Sequence, residues 1–184
     1  MSLPLATKEG REAAIARAMR LRGRHRTDGQ ALPEFALVLP VFLLIFFAII
    51  QFGVLLAAHI GLTNAVREVA RYGSTVPTTD GAPAGNVAVY LLDTALPGNV
   101  ATYNAANLEG SSVSYCRYAD ASGAYSIRLT VAVTYDHPLF VPLVSTIIDG
   151  LDGNADNAFA LVTSEAMRVE NPPLGSAPPL PDCP

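Results

Sequence analysis

One long apolar run dominates the first third of the chain. Residues 35–50 are all apolar, Gln51 interrupts the run, and residues 52–58 continue it; no charged residue occurs between Glu34 and Arg67. A helix needs about 20 apolar residues to cross a bilayer, whereas a surface helix of a soluble domain keeps a polar face toward water. The run is also longer than the apolar segment of a secretory signal peptide, about 7–15 residues. It therefore predicts a membrane-spanning helix that stays in the mature protein.

The pattern changes after the apolar run to that of an amphipathic helix. Apolar residues at helical spacing predict that the helix continues outward, with one face on a small domain, until Gly73 and Pro77 stop it. A second, short helix is predicted over residues 86–96, ended by Pro97 and Gly98. The stripe on the first helix consists of Leu62, Ala65, Val66, Val69 and Ala70.

The last third of the chain alternates with the period of β-strands. Residues 125–135 alternate strictly between apolar and polar, which predicts a half-buried antiparallel strand. Weaker strands are predicted over 111–119 and 157–170, with a hairpin turn over 119–124. One helix is predicted between the last two strands. Together with the long helix, these elements predict an α+β fold of pilin-like plan, in which the helix packs on a small antiparallel sheet domain.

The charges are divided by the apolar run. Residues 1–29 hold seven basic and three acidic residues, a net charge of +4, and the remainder holds five basic and thirteen acidic residues, a net charge of −8. Basic residues stay on the cytoplasmic side of a membrane helix. We therefore expect a single-pass protein with its N-terminus inside and its C-terminus outside. The basic head could also serve as a nucleic-acid arm, but the adjacent span gives a simpler account, and we expect no nucleic-acid partner.

The segment before the apolar run fits the pattern that prepilin peptidases recognise. Gly29 is followed by four residues, then Glu34 and the aromatic Phe35. Cleavage would fall between Gly29 and Gln30. The basic residues before this motif and the long apolar helix after it make the pattern more specific than the motif alone.

Cleavage explains both Pro33 and Glu34. The first backbone N–H groups of a helix have no intrahelical partner, so Pro33 costs little in a helix that begins at Gln30. The cut creates an α-amine on Gln30, and residues four apart share a helix face. Glu34 could pair with the amine of its own chain, or with that of a neighbouring subunit and so set the register of packed helices. The alternative is a solvated carboxylate stabilised by the helix dipole.

Residues 29–74 resemble the TadE-like family, the pseudopilins or minor pilins of the tight-adherence (Tad, or Flp pilus) machinery. Pro33 departs from the family, in which valine or another apolar residue is usual. The residues that carry the resemblance are Gly29, Gln30, Ala31, Glu34, Phe35, Pro40, Phe52, Gly53, Leu62, Thr63, Asn64, Ala65, Arg67, Glu68, Ala70 and Arg71.

The resemblance implies processing by a prepilin peptidase and insertion in the bacterial cytoplasmic membrane. It also implies a part in assembling or priming a thin adhesive pilus, with a place in the extracellular pilus left open. The implied partners are other pilin-like subunits and the pilus assembly platform, both reached through the membrane helix, together with the peptidase and membrane lipid.

Two cysteines, Cys116 and Cys183, fall on the predicted outer side. A disulfide there is compatible with an oxidising compartment and would tie the proline-rich tail to the sheet. Two free thiols are the alternative.

Candidate chemistry is sparse. The chain has no glycine-rich phosphate loop, metal-spaced cluster or nucleophile elbow. Asp136 and His137 beside several serines allow a hydrolase triad, but His137 next to Pro138 more simply ends a strand. The acidic loop 149–156 offers oxygens that suit Ca²⁺, yet it lacks the closing glutamate of an EF-hand, so a solvated loop is the simpler interpretation. We expect no enzyme, no metal site and no cofactor.

The expected organisation has four parts. Residues 1–29 form a cleaved basic leader, 30–75 the transmembrane and amphipathic helix, 76–170 an extracytoplasmic α+β domain, and 171–184 a proline-rich tail. The alternative to a pilin-like subunit is an uncleaved single-pass membrane protein whose outer domain binds a ligand or partner.

Overall fold

A single helix, α1, carries the apolar run and its amphipathic continuation from Ala31 to Thr75. In the computed structural model, residues 31–76, 83–119, 121–152, 156–170, 174 and 178–184 are described, together with the single residues 8, 12 and 16. Apart from these three residues, the predicted leader lies outside the described residues, as does the Gly29–Gln30 bond. The chain divides into two units, Met1–Phe46 and Phe47–Pro184.

Residues 31–46 of the first unit are helical, and nearly all of their side chains are exposed. Every side chain from Ala31 to Phe46 is exposed except Leu39 and Leu44, which are half-buried. Pro33 lies in the first turn of α1, and Pro40 lies within the helix. An unbroken apolar surface of this kind is expected of a helix whose surroundings are lipid or like helices.

The second unit buries one stripe of α1 in its core. The predicted stripe is confirmed, because all five of its residues are fully buried at the i, i+3, i+4 spacing of one helix face. Leu55 and Ala58 extend the same buried face toward the apolar run.

The second helical segment differs from the prediction. It comprises α2 (Ala84–Tyr90), a π-helical turn over Leu91–Ala95, and α3 (Leu96–Asn99). Pro97 and Gly98 therefore do not end it. The π turn inserts a wider loop of backbone, after which Pro97 occupies the first turn of α3, where a missing N–H is harmless.

The sheet has three antiparallel strands in the order β1–β2–β3. They are β1 (Leu108–Ala119), β2 (Tyr125–Pro138) and β3 (Ala158–Arg168), with Val131 of β2 opposite Val113 of β1 and Glu165 of β3. Helix α4 (Pro142–Asp152) lies between the last two strands in sequence. The predicted three-stranded antiparallel sheet is confirmed, although β1 and β2 are each three residues longer than expected.

Strand β2 supplies the centre of the core. Its alternate residues Ile127, Leu129, Val131, Val133 and Tyr135 are buried together with the inner face of α1. The hairpin before it turns at Gly123, whose φ of 79° is favourable only for glycine among apolar residues. The predicted α+β fold class, a long apolar helix followed by a small antiparallel sheet, is confirmed.

The C-terminal tail closes the outer edge of β1. Cys116 and Cys183 are joined by a disulfide, with their Cα atoms 4.9 Å apart. The backbone of Arg117 pairs with the tail on both sides of Asp182. Its N–H donates to the carbonyl of Pro181, and its carbonyl accepts from the N–H of Cys183. The guanidinium of Arg117 also contacts Asp182 at 2.7 Å. At Arg117 the tail thus occupies the backbone groups of a sheet edge that would otherwise be open to pairing with another chain.

Candidate membrane-anchoring and assembly helix

The first turn of α1 presents the residues predicted for processing and assembly. Glu34 is the acidic residue of this turn, and both Glu34 and Phe35 are exposed. A carboxylate at a helix N-terminus is stabilised by the helix dipole, and its exposure leaves it accessible to another chain. Gly29 and Gln30 lie outside the described residues, so the roles of this motif in cleavage and assembly stay predictions.

The apolar part of α1 is suited to a membrane. The helix is long enough to span one, with a mean hydropathy of 2.8 over its most apolar 18-residue window, and only 17% of that window is buried. The core helix of a soluble protein would be mostly buried, because apolar side chains gain free energy by leaving water. The exposure of this helix therefore favours association with a membrane over a buried core.

Gln51, the polar residue within the apolar run, is buried with its Oε1 hydrogen-bonded and its Nε2 without a partner among the described residues. Its side chain is only 1% exposed, and its Oε1 accepts hydrogen bonds from the backbone N–H groups of Phe140 and Val141 at 2.9 and 3.1 Å. These two donors directly precede α4, whose first residue, Pro142, has no N–H. Gln51 thus fixes the start of α4 against α1. The sequence showed only a lone glutamine, since its partners are 89 and 90 residues away.

Glu68 links the outer half of α1 to the second helical segment. Its carboxylate accepts hydrogen bonds from the Tyr90 hydroxyl at 2.6 Å and from Asn99 Nδ2 at 2.8 Å. The Tyr90 ring also lies against Tyr72 of α1, with centroids 4.5 Å apart. The hydrogen bond from Tyr90, followed by that from Asn99, lowers the pKa of Glu68 below its ordinary value.

This geometry predicts an acid-dependent stability. Because the pKa of Glu68 is lower in the folded protein than in the unfolded chain, its contribution is complete above the ordinary carboxyl pKa and is lost as the pH falls through the folded value. As the pH falls below about 4.5, we expect Glu68→Gln to lose less thermal stability than the wild type does. Circular dichroism in mild detergent measures the unfolding temperature. Tyr90→Phe removes one of the two hydrogen bonds to Glu68, so its loss of stability should lie between those of Glu68→Gln and the wild type.

Glu109→Gln provides the control for this prediction, since Glu109 lies on β1 outside the Glu68 cluster. It should keep the acid profile of the wild type. Identical profiles for Glu68→Gln and the wild type would show that the two hydrogen bonds to Glu68 do not favour the ionised form.

The helix approaches α3 most closely at Gly61. A Cβ atom placed on Gly61 would lie 2.4 Å from the carbonyl oxygen of Asn99. Asn99 therefore meets α1 twice, through its backbone at Gly61 and through its side chain at Glu68. Sequence reasoning identified neither contact, although both α1 residues lie in the segment that resembles the TadE-like family.

His137, which was considered for a hydrolase triad, lies in the interior of the sheet domain. His137 is fully buried in β2, between the rings of Tyr135 and Phe140. Its Nε2 lies 3.3 Å from the hydroxyl oxygen of Thr102, and burial lowers the pKa of the imidazole. His137 is thus a strand residue of the interior, as the sequence analysis favoured, although β2 continues one residue further to Pro138.

The acidic loop is only partly described. Residues 153–155, and the side chains of Asp149 and Asp152, lie outside the described part of the chain. Among the described residues, no group of three or more His, Cys, Asp or Glu side chains is arranged to hold a metal ion.

The start of the chain is similar to a known protein family. Residues 29–71 match the family model described as TadE-like protein. The match agrees with the resemblance found in the sequence and covers α1 from its start to Arg71. No curated protein matches the chain, and no solved structure matches it.

Proposed function

We propose, from the TadE-like segment at residues 29–71, that this chain is a minor pilin or pseudopilin of a Tad/Flp pilus. In this proposal α1 holds the chain in the cytoplasmic membrane before assembly. The sheet domain lies on the outer side and carries the surface that the assembled pilus presents.

One observation carries the proposal. The family match begins at residue 29, the residue after which the prepilin motif places the cut. The helix described from Ala31 puts Glu34 in its first turn, with the carboxylate exposed. A processing motif and a family match that begin at the same residue, followed by a long exposed apolar helix, support a single event, the release of a leader from an assembly helix.

Orientation follows from charge and from cysteine chemistry. The net charge of +4 before α1 favours a cytoplasmic N-terminus. The Cys116–Cys183 disulfide is suited to an oxidising compartment on the other side of the membrane. Both observations support a single pass with the sheet domain outside.

The proposed mechanism is extraction of α1 from lipid into a bundle of like helices. The bare apolar surface of residues 31–46 would exchange lipid contacts for helix contacts, at little cost in hydrophobic free energy. Apolar contacts alone leave the register of such helices weakly defined. A pair between Glu34 and the α-amine of Gln30 on a neighbouring subunit would fix the register, because an ion pair in apolar surroundings is strongly distance-dependent.

The experiment is the intact mass and N-terminal sequence of the protein purified from its native membrane. We expect a chain that begins at Gln30. The control is the same protein from cells without the prepilin peptidase, which should keep residues 1–29. A chain that keeps residues 1–29 in cells with a working peptidase would contradict the proposal and favour the uncleaved membrane protein with a binding domain.

A further inference from the structure

The exposed large apolar residues of the sheet domain are concentrated at one end. Among the described residues after Ser74 there are four of them: Val89, Phe140, Ile147 and Val162, with exposed fractions of 56, 58, 56 and 65%. The last three belong to elements that contact α1 between residues 48 and 56. Single exposed apolar residues are normal on a soluble surface, but three that converge on an apolar helix require a common explanation.

Each of the three lies on a segment that contacts α1. Phe140 donates its backbone N–H to Gln51. Ile147 lies on α4, whose buried Val144 and Ile148 pack with Ala48 of α1. Val162 of β3 lines an apolar groove of about 360 Å³ together with Phe52 and Leu56 of α1.

The depth of these contacts follows from helix geometry. Residues 35–58 form an apolar stretch about 36 Å long as an α-helix, at a rise of about 1.5 Å per residue. The hydrocarbon core is about 30 Å thick, so about 6 Å of the stretch is surplus. Gln51 lies seven residues before Ala58, about 10 Å along the axis. Even if all the surplus lay on the outer side, Gln51 would be about 4 Å inside the hydrocarbon, and the start of α4 lies beside it.

Two hydroxyl groups at this end are hydrogen-bonded within the start of α4. The hydroxyls of Ser145 and Thr146 both donate to the carbonyl of Pro142 at 2.9 Å, so neither needs water. Asp136 and Val162 lie on the sheet face opposite the core, because both alternate with core-facing residues and Val162 pairs with Thr134. A carboxylate beside exposed apolar side chains is compatible with a surface in the interface of a bilayer, where headgroups and hydrocarbon meet.

We propose that this end of the sheet domain dips into the outer leaflet, with Phe140 and α4 in the hydrocarbon boundary and a lipid acyl chain in the groove beside Val162. The inference rests on the membrane insertion of α1 but not on any role in a pilus. In consequence, the sheet domain contacts the membrane directly. Lipid then holds the domain in a fixed orientation until α1 leaves the membrane.

The absence of tryptophan from the sequence allows a direct test. Four single-tryptophan variants of the full chain, Phe140→Trp, Ile147→Trp, Val89→Trp and Phe42→Trp, are reconstituted in phosphatidylcholine vesicles containing lipid brominated along the acyl chain. Bromine quenches only a tryptophan that contacts the chains. Val89 is the matched water-side control, since its helix packs near Tyr72, far beyond the apolar stretch. Phe42 lies within the stretch and reports insertion of α1.

We expect Phe140→Trp, Ile147→Trp and Phe42→Trp to lose most of their emission while Val89→Trp keeps it. Quenching of Phe42→Trp alone would overturn the inference and leave membrane insertion, and with it the proposed function, intact. Protection of Phe140→Trp from aqueous acrylamide without quenching by brominated lipid would also overturn it, because a protein surface would then cover this end. An unquenched Phe42→Trp would overturn both the inference and the membrane insertion on which the proposed function depends.

Discussion

Replacing Gly61 by alanine is expected to lower the free energy of unfolding by about 3 kcal/mol. The added Cβ would lie 2.4 Å from the carbonyl oxygen of Asn99 and 3.3 Å from Cα of Val100. Both obstacles are backbone atoms, so no side-chain rotation relieves the overlap, and α1 must move away from α3. That movement also stretches the hydrogen bond between Asn99 and Glu68. The midpoint of thermal unfolding in mild detergent measures the loss.

Two other glycines of α1 provide graded controls for Gly61→Ala. Nothing lies within 4 Å of a Cβ on Gly53, and alanine is the better helix former by about 1 kcal/mol, so Gly53→Ala should be at least as stable as the wild type. A Cβ on Gly73 would meet only side-chain atoms, the nearest being Cδ2 of the buried Leu129 at 2.4 Å; side chains can shift more easily than backbone, so Gly73→Ala should fall between the two. Unfolding of Gly61→Ala at the wild-type temperature would contradict the close approach of α1 and α3.

The second large effect is expected at Glu34. If its carboxylate sets the register between subunits, Glu34→Ala should insert in the membrane at the wild-type level and yet abolish pilus assembly. The loss should be nearly complete, because an unguided apolar helix can pack in several registers of similar energy. Surface pili are counted by electron microscopy, and the membrane fraction is assayed by immunoblot.

Three companion measurements isolate the charge of Glu34. Glu34→Gln keeps the size of the side chain and should assemble as poorly as Glu34→Ala. Glu109→Ala removes an exposed carboxylate from β1 and should leave assembly unchanged. N-terminal sequencing of Glu34→Ala must give Gln30, since an uncleaved chain would place the role of Glu34 in recognition by the peptidase. Wild-type numbers of pili on Glu34→Ala cells would exclude the proposed register role.

Elements with a strong local period were predictable from the sequence. The apolar run and the stripe from Leu62 to Ala70 predicted α1, and the strict alternation of residues 125–135 predicted β2, because burial on one face leaves a period that a single sequence can show. The start of β1 was missed because Leu108, Glu109 and Gly110 carry no such alternation. The π turn at Leu91–Ala95 was missed because it depends on how the segment packs rather than on its composition.

The contacts that organise the candidate site could not be predicted. Gln51 meets Phe140, and Glu68 meets Tyr90 and Asn99, across 22 to 89 residues, and no local pattern encodes such pairings. Gly61 looked like one of several glycines in a helix, although its lack of a side chain admits the backbone of Asn99. The motif from Gly29 to Phe35 could be proposed from the sequence for the opposite reason, since all its residues are neighbours in the chain, and its role in cleavage stays a prediction.

The disulfide divides the molecule into parts that differ in how they bear mechanical load. The Cys116–Cys183 bond closes a covalent ring of chain that contains β2, α4 and β3, and α1 lies outside it. A pull on α1 along its axis therefore reaches the ring through the chain between Thr75 and Cys116, or sooner through the contacts at Gln51, Gly61 and Glu68. These contacts act in shear along one helix, so they share the force. A force applied between α1 and the C-terminal tail passes through the disulfide, so the chain between the two cysteines is shielded from that force.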